Sequence, residues 1–203
     1  VLRSSLYTNL ILFLKKNIDR GFENQSLFEI GPLFLGKKPG QQITIICGIR
    51  KENQLNIYDI KKDVVQTLVE LGINKNETRI STQTPSYYHP GRSGSIMTKN
   101  NQKLLAYFGQ IHPKIIDNTY GFEIFLENLV KYKSQNKRDK PTITFSDYQK
   151  SERDFAFVVQ KDLQAQDLLE IILNVDKSLV KNVKIFDVYE GENIPTDKKS
   201  IAL

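Results

Sequence analysis

Few side chains in this sequence have the type and spacing for chemistry. His89 and His112 each precede a proline in a turn-like run, His89-Pro90-Gly91-Arg92-Ser93 and His112-Pro113. Neither has a second histidine at metal-ligand spacing, so each reads as an imidazole bonded within its own loop or facing a partner, and no metal is expected. Arg92 can hold a phosphate, but a salt bridge or a subunit contact fits a single arginine better. The one cysteine, Cys47, lies in Ile43-Thr44-Ile45-Ile46-Cys47-Gly48-Ile49, an apolar strand-like run that makes it a buried, inert thiol. No complete Gly-x-x-x-x-Gly-Lys-Ser/Thr phosphate loop occurs. The more suggestive pair is Asp187 and Tyr189, two residues apart in Phe186-Asp187-Val188-Tyr189. On a strand they share one face. There a phenol ring can stack on an unpaired base, and a carboxylate can accept hydrogen bonds from the N–H donors of a guanine edge. The plainer alternative is a tyrosine capping a sheet edge and an aspartate starting a turn.

Hydrophobic periodicity supplies the elements that would position these groups. Leu6, Leu10, Phe13 and Leu14 fall at i, i+4, i+7 and i+8, the stripe of an amphipathic helix, with Gly21 as its C-terminal cap. A strand follows over 26–31 and continues past a bend at Pro32, and a second, largely buried strand covers 42–49. Ile60, Val64, Leu68 and Leu71 mark a second helix closed by Gly72. Residues 78–84 and 104–111 read as strands, 89–93 as a loop, and 122–129 as a strand at an exposed edge. The polar, aperiodic stretch Lys131–Lys140 before Pro141 reads as a linker. Beyond it come a strand at 153–159, a helix at 164–173 with Asp162 as its cap, a strand at 183–189 and another starting at 199. That β-α-β-β order is the first part of a split βαβ, or ferredoxin-like, unit. With Phe186 and Val188 buried under the helix, Asp187 and Tyr189 would stand on the open face. With Phe155 and Phe157 in the core, the small Ala156 on the facing side would let a base approach. The fold class is therefore α+β: a mixed or antiparallel sheet with helices over residues 1–140, then an incomplete ferredoxin-like domain over residues 141–203.

Charge follows the same division. Residues 1–140 carry 21 Lys/Arg against 12 Asp/Glu, and residues 141–203 carry 8 against 11. The first part can attract a polyanion, although solvating lysines explain the balance as well. No apolar run approaches the roughly 20 residues of a membrane helix. The opening Val1-Leu2-Arg3-Ser4-Ser5 has no signal-peptide layout, so a soluble, cytoplasmic chain is expected. It has no initiator methionine and stops in the apolar run Ile201-Ala202-Leu203, which suggests a fragment of a longer polypeptide.

A series of stretches, in order, carries a resemblance. Leu2-Arg3-Ser4-Ser5-Leu6 with Asn17-Ile18-Asp19-Arg20, Leu27-Phe28-Glu29-Ile30-Gly31, His89-Pro90-Gly91-Arg92-Ser93 and Gly109-Gln110-Ile111-His112-Pro113 resemble the class II synthetase-like core of the bacterial phenylalanyl-tRNA synthetase β chain. Family members typically have glutamate where this chain has Gln110. Glu152–Val159, with Phe186–Gly191 and Lys198–Leu203, resembles the start and later strands of that chain's anticodon-binding domain. The resemblance implies an α2β2 heterotetramer that charges tRNA(Phe) with phenylalanine using ATP and magnesium, with the active site on the α chain. It implies a β core without catalytic residues or a cofactor of its own, and the absence of a Gly-x-Gly-x-Gly-x-Glu-Arg run fits that. Asp187, Tyr189 and Ala156 become the expected tRNA contacts. Two rival readings remain: a single-stranded nucleic-acid-binding module and a structural assembly subunit, both unrelated to charging.

Overall fold

In a computed structural model, the structure describes residues 2–100, 102–129 and 149–203. The chain folds as two compact units, Val1–Asp139 and Lys140–Leu203. The stretch 131–140, read as a linker, lies outside the described residues.

The larger unit is built on a six-stranded sheet, antiparallel at every pairing. In chain order the strands are β1 (Gln25–Phe34), β2 (Gln42–Lys51), β3 (Thr78–Ser81), β4 (Tyr88–Thr98), β5 (Leu104–Ile111) and β6 (Tyr120–Phe125). They lie in the order β1-β2-β6-β5-β4-β3. Helix α1 (Tyr7–Ile18) packs on one face, with Leu6, Tyr7, Leu10 and Leu14 against Leu33, Ile45, Cys47 and Ile49. Phe13, expected in its stripe, is exposed, and Tyr7 takes the place in the buried face. Helix α2 (Ile57–Glu70) packs on the other face, with Ile60, Val64 and Leu68 against Ile96, Ala106, Phe108 and Ile124. Asn56 and Asp59 close its first turn as a capping box. Gly72, at φ +84°, ends it with Ile73 donating to the carbonyl of Leu68.

Three expectations change here. Residues 120–125 are not an edge strand: β6 lies between β2 and β5, and the chain turns helical at 126–129. Its polar–apolar alternation arises because Glu123 is a buried polar group, 3% exposed, rather than a solvated one. His89 to Ser93 is not a free loop but part of β4, whose pairing with β5 shifts register between Tyr88 and Ser93. Pro32 does not bend β1 out of the sheet, because among the described residues β1 is an edge strand, a position that tolerates proline.

The smaller unit holds strand β7 (Ala156–Gln160), helix α3 (Ala165–Val175), strand β8 (Asp187–Tyr189) and strand β9 (Lys198–Ala202). The sheet order is β7-β9-β8, with both pairings antiparallel. Strands β7 and β8 are thus parallel and joined through α3, with β9 between them, which is a split βαβ. Leu168 of α3 packs with Ile201 and Leu203, joined by Val159, Ile172, Val183 and Ile185. Asp162 does not cap the helix; Gln164 holds that position, without a side-chain bond. Phe155, Phe157, Phe186 and Val188 are not the core: they are 56%, 38%, 59% and 51% exposed. The register puts Phe157 and Val188 beside Ile201, on the side of the sheet that α3 covers. An 11-residue helix buries Ile201 on the central strand and leaves the flanking rings open.

Gly109 gives a direct test of the bulged β4–β5 pairing. At φ +148°, an added Cβ would lie 2.5 Å from Ser93 Cα and 2.6 Å from the Arg92 carbonyl oxygen. Gly109→Ala is expected to lower stability by roughly 2–4 kcal/mol, measured by denaturant unfolding. A loss below about 0.5 kcal/mol would contradict this geometry.

Candidate functional site

Two groups of side chains stand out, one in each unit. In the larger unit the register aligns Glu29, Cys47, Glu123 and Tyr107 across β1, β2, β6 and β5, on the face that α1 covers. The Glu123 carboxylate accepts a hydrogen bond from the Tyr87 hydroxyl at 2.7 Å and a longer one from Tyr88 at 3.5 Å. The Tyr88 and Tyr7 hydroxyls share a hydrogen bond of 2.6 Å. Tyr7, Tyr87, Tyr88, Tyr107 and Phe125 form a chain of rings with centroids 5.1–6.2 Å apart. The Tyr7 hydroxyl fits because residue 121 is glycine: a Cβ there would lie 2.7 Å from it. Helix α1 is thereby tied to the middle of the sheet by polar as well as apolar contacts.

Burial governs the electrostatics of this cluster. It raises the Glu123 carboxyl above its ordinary range, and the Tyr87 and Tyr88 hydroxyls offset part of that. Burial likewise pushes the Tyr7, Tyr87 and Tyr88 phenols up, with Glu123 adding to each. Burial also drives the Cys47 thiol up, with Glu123 and Glu29 contributing. Cys47 is therefore a protonated, inert thiol, as its sequence context implied. One signal for this cluster is present in the chain, a glutamate between Phe122 and Ile124, which alternation misreads as a solvated position.

The motif residues near the sheet margins have structural partners. Arg3 pairs with Glu29, donates from Nε to the Pro32 carbonyl at 3.1 Å, and lies across Gly31, where a Cβ would collide with its guanidinium. His89 Nδ1 accepts from the Gly91 N–H at 3.0 Å, and His112 Nδ1 accepts from the Lys114 N–H at 3.2 Å. Each imidazole thus bonds the backbone N–H two residues further on. Among the described residues Arg92 forms no salt bridge; its Nη1 donates to Gln110 Oε1 at 3.2 Å, across the register shift. Among the described residues no cluster of three or more His, Cys, Asp or Glu side chains is placed to hold a metal. No helix among them is long and apolar enough to cross a membrane.

In the smaller unit the register sorts the sheet into rows. Ala156, Ala202 and Asp187 align across β7, β9 and β8, and Val158, Ser200 and Tyr189 form the next row. Both rows lie on the face opposite Ile201, away from α3. The three residues singled out from sequence therefore share one face, with Ala156 and Asp187 in the same row. Ala156, Asp187 and Tyr189 are all exposed, Tyr189 at 47%. Among the described residues the Asp187 carboxylate makes no hydrogen bond or ion pair. The face presents a ring, an unpaired acceptor and an open floor to a planar, N–H-bearing ligand.

Similarity to known proteins agrees with both units. One unit is an antiparallel sheet with helices and the other a split βαβ sheet, an α+β architecture in two units. Over 66% of its length the chain matches half of the pyrrolysyl-tRNA synthetase of Desulfitobacterium hafniense, with a TM-score of 0.53 at 19% identity, a likeness of fold alone. Residues 1–124 match the family described as phenylalanyl tRNA synthetase beta chain CLM domain, and residues 146–203 match the ferredoxin-fold anticodon binding domain. The chain belongs to the phenylalanyl-tRNA synthetase β-chain family. It is 34% identical, over its whole length, to the phenylalanine–tRNA ligase beta subunits of Paramagnetospirillum magneticum and Rickettsia bellii. It spans 27% and 25% of those relatives, so it corresponds to about a quarter of their length.

The Glu123 cluster predicts a pH dependence of stability. A carboxyl whose folded pKa is raised binds its proton more tightly in the folded than in the unfolded state. Its contribution is full below the unfolded value of about 4.3 and is lost as pH rises through the raised folded value. Glu123→Gln, which keeps an acceptor for Tyr87 but cannot ionise, is expected to gain stability relative to the natural chain across that window. At acidic pH, where ionisation is not at stake, Glu123→Ala is expected to cost about 2–4 kcal/mol. Urea unfolding at a series of pH values measures both, and parallel curves for the natural chain and Glu123→Gln would contradict the burial account.

Proposed function

We propose that this chain is the non-catalytic β-chain part of a phenylalanine–tRNA ligase acting in the cytoplasm. Residues 1–140 serve as a catalytically silent synthetase-like core that assembles with an α chain in an α2β2 enzyme. Residues 141–203 contact the anticodon of tRNA(Phe). ATP and magnesium serve the whole enzyme at the α chain, and this chain needs no cofactor of its own.

The observation that carries the tRNA reading is the row structure of the small sheet. Asp187 offers a carboxylate to the N–H edge of guanine, Tyr189 offers a ring for stacking, and Ala156 leaves room between them. The acidic balance of residues 141–203, 8 Lys/Arg against 11 Asp/Glu, favours contact with bases over contact with phosphates. The assembly reading is supported by uncovered apolar side chains on edge strand β1. Phe28 and Ile30 are 71% and 56% exposed and stand beside Gly48 and Ile46 in the register. An apolar strip on a sheet edge suits a partner surface.

The test of tRNA contact is binding of tRNA(Phe) by the assembled enzyme. Tyr189→Ala is expected to weaken binding by roughly 5- to 100-fold, the value of one base–aromatic stack. Asp187→Asn is expected to reduce discrimination against a transcript altered at the first anticodon base. Unchanged affinity and unchanged discrimination would contradict the reading. For assembly, a Phe28→Asp, Ile30→Asp double substitution is expected to abolish co-purification with the α chain while leaving the melting temperature within a few degrees. Retained co-purification would remove β1 from the interface.

A further inference from the structure

We propose that Gly191 is a positioning residue for Tyr189: the space left by its missing side chain seats the phenol and sets the ring for stacking. This rests on the anticodon-contact reading above and adds to it a residue with no role in that reading. A Cβ at position 191 would lie 2.1 Å from the Tyr189 hydroxyl oxygen and 2.4 Å from Cζ. The ring therefore folds back over the backbone two residues further on, and any side chain at 191 expels it. The backbone itself does not demand glycine, because Gly191 is not among the glycines with left-handed φ. Alanine would be accepted there without strain, except for the ring.

The seat lies on a tied piece of chain. Gly191 accepts a hydrogen bond from the Ile194 N–H at 3.0 Å, which closes the turn between β8 and β9. The preceding Glu190 pairs with Lys161 at 3.1 Å, at the far end of β7. Lys199 in turn donates to the Lys161 carbonyl at 2.7 Å. A tyrosine half-exposed on a three-residue end strand has little else to fix its torsions. An unfixed ring would lose rotamer freedom on each binding event, whereas a seated one has lost it already. Glycine at 191 thus links the turn to the affinity of the face.

The experiment is a double-mutant cycle on the complete β subunit in complex with its α subunit, with tRNA(Phe) transcript as the probe and melting temperature recorded for each variant. Gly191→Ala alone is expected to weaken binding by about fivefold or more. In a Tyr189→Ala background the same change is expected to alter binding less than twofold, since no ring remains to displace. If Gly191→Ala is silent alone, or costs as much without the ring as with it, Gly191 has no positioning role, and a lowered melting temperature common to both backgrounds would point to the turn instead. If Tyr189→Ala itself leaves binding unchanged, the anticodon-contact reading falls and this inference falls with it. These outcomes are distinguishable within one set of four proteins.

Discussion

A carboxylate in the middle of a sheet constrains the larger unit more than any other group. Glu123 sits buried on β6, between β2 and β5. A buried carboxyl without partners costs several kcal/mol, so neighbouring elements must supply donors. The turn before β4 supplies the hydroxyl of Tyr87, the first residue of β4 that of Tyr88, and α1 supplies Tyr7 through its bond to Tyr88. Gly121, one alternation away on β6, leaves the space for Tyr7. The packing angle of α1, the start of β4 and the glycine on β6 are thus solutions to a single requirement. The same solution fills that face of the sheet with aromatic rings.

The smaller unit answers a different requirement. Among the described residues its three strands are short and its helix has 11 residues, and the buried side chains at its centre are Ile201, Leu203 and Leu168. The rings of Phe155, Phe157 and Phe186 stay accessible on the helix side, and the opposite face holds the rows ending in Asp187 and Tyr189. Its core among the described residues is small and its charge is not basic, so the proposed base contacts rest on single placed groups.

Much of this architecture was legible in the chain. Helix α2 and strands β2 and β5 follow from clean periodicity, and the β-α-β-β order predicted the split βαβ. The errors have physical causes. Glu123 in Phe-Glu-Ile-Phe mimics the alternation of a solvated strand, because periodicity cannot tell water from a tyrosine hydroxyl as the partner of a carboxylate. Pro90 and Gly91 signal a loop, yet a bulge accommodates both within β4. Phe186 and Val188 were expected under the helix because apolar character predicts burial, but burial also needs a neighbour long enough to cover them. Asp187, Tyr189 and Ala156 reached one face because register follows strand parity, which sequence does carry. The seat at Gly191 was invisible, since nothing in a sequence shows that a ring folds back two residues.

The central claim is that the synthetase-like sheet of this chain supports charging without performing it. ATP–pyrophosphate exchange with phenylalanine, measured on the purified chain alone and after addition of an α subunit, tests that claim most directly. The account predicts no exchange above background from the chain alone, and exchange that appears only with the α subunit. Phenylalanine-dependent exchange from the chain by itself would contradict it.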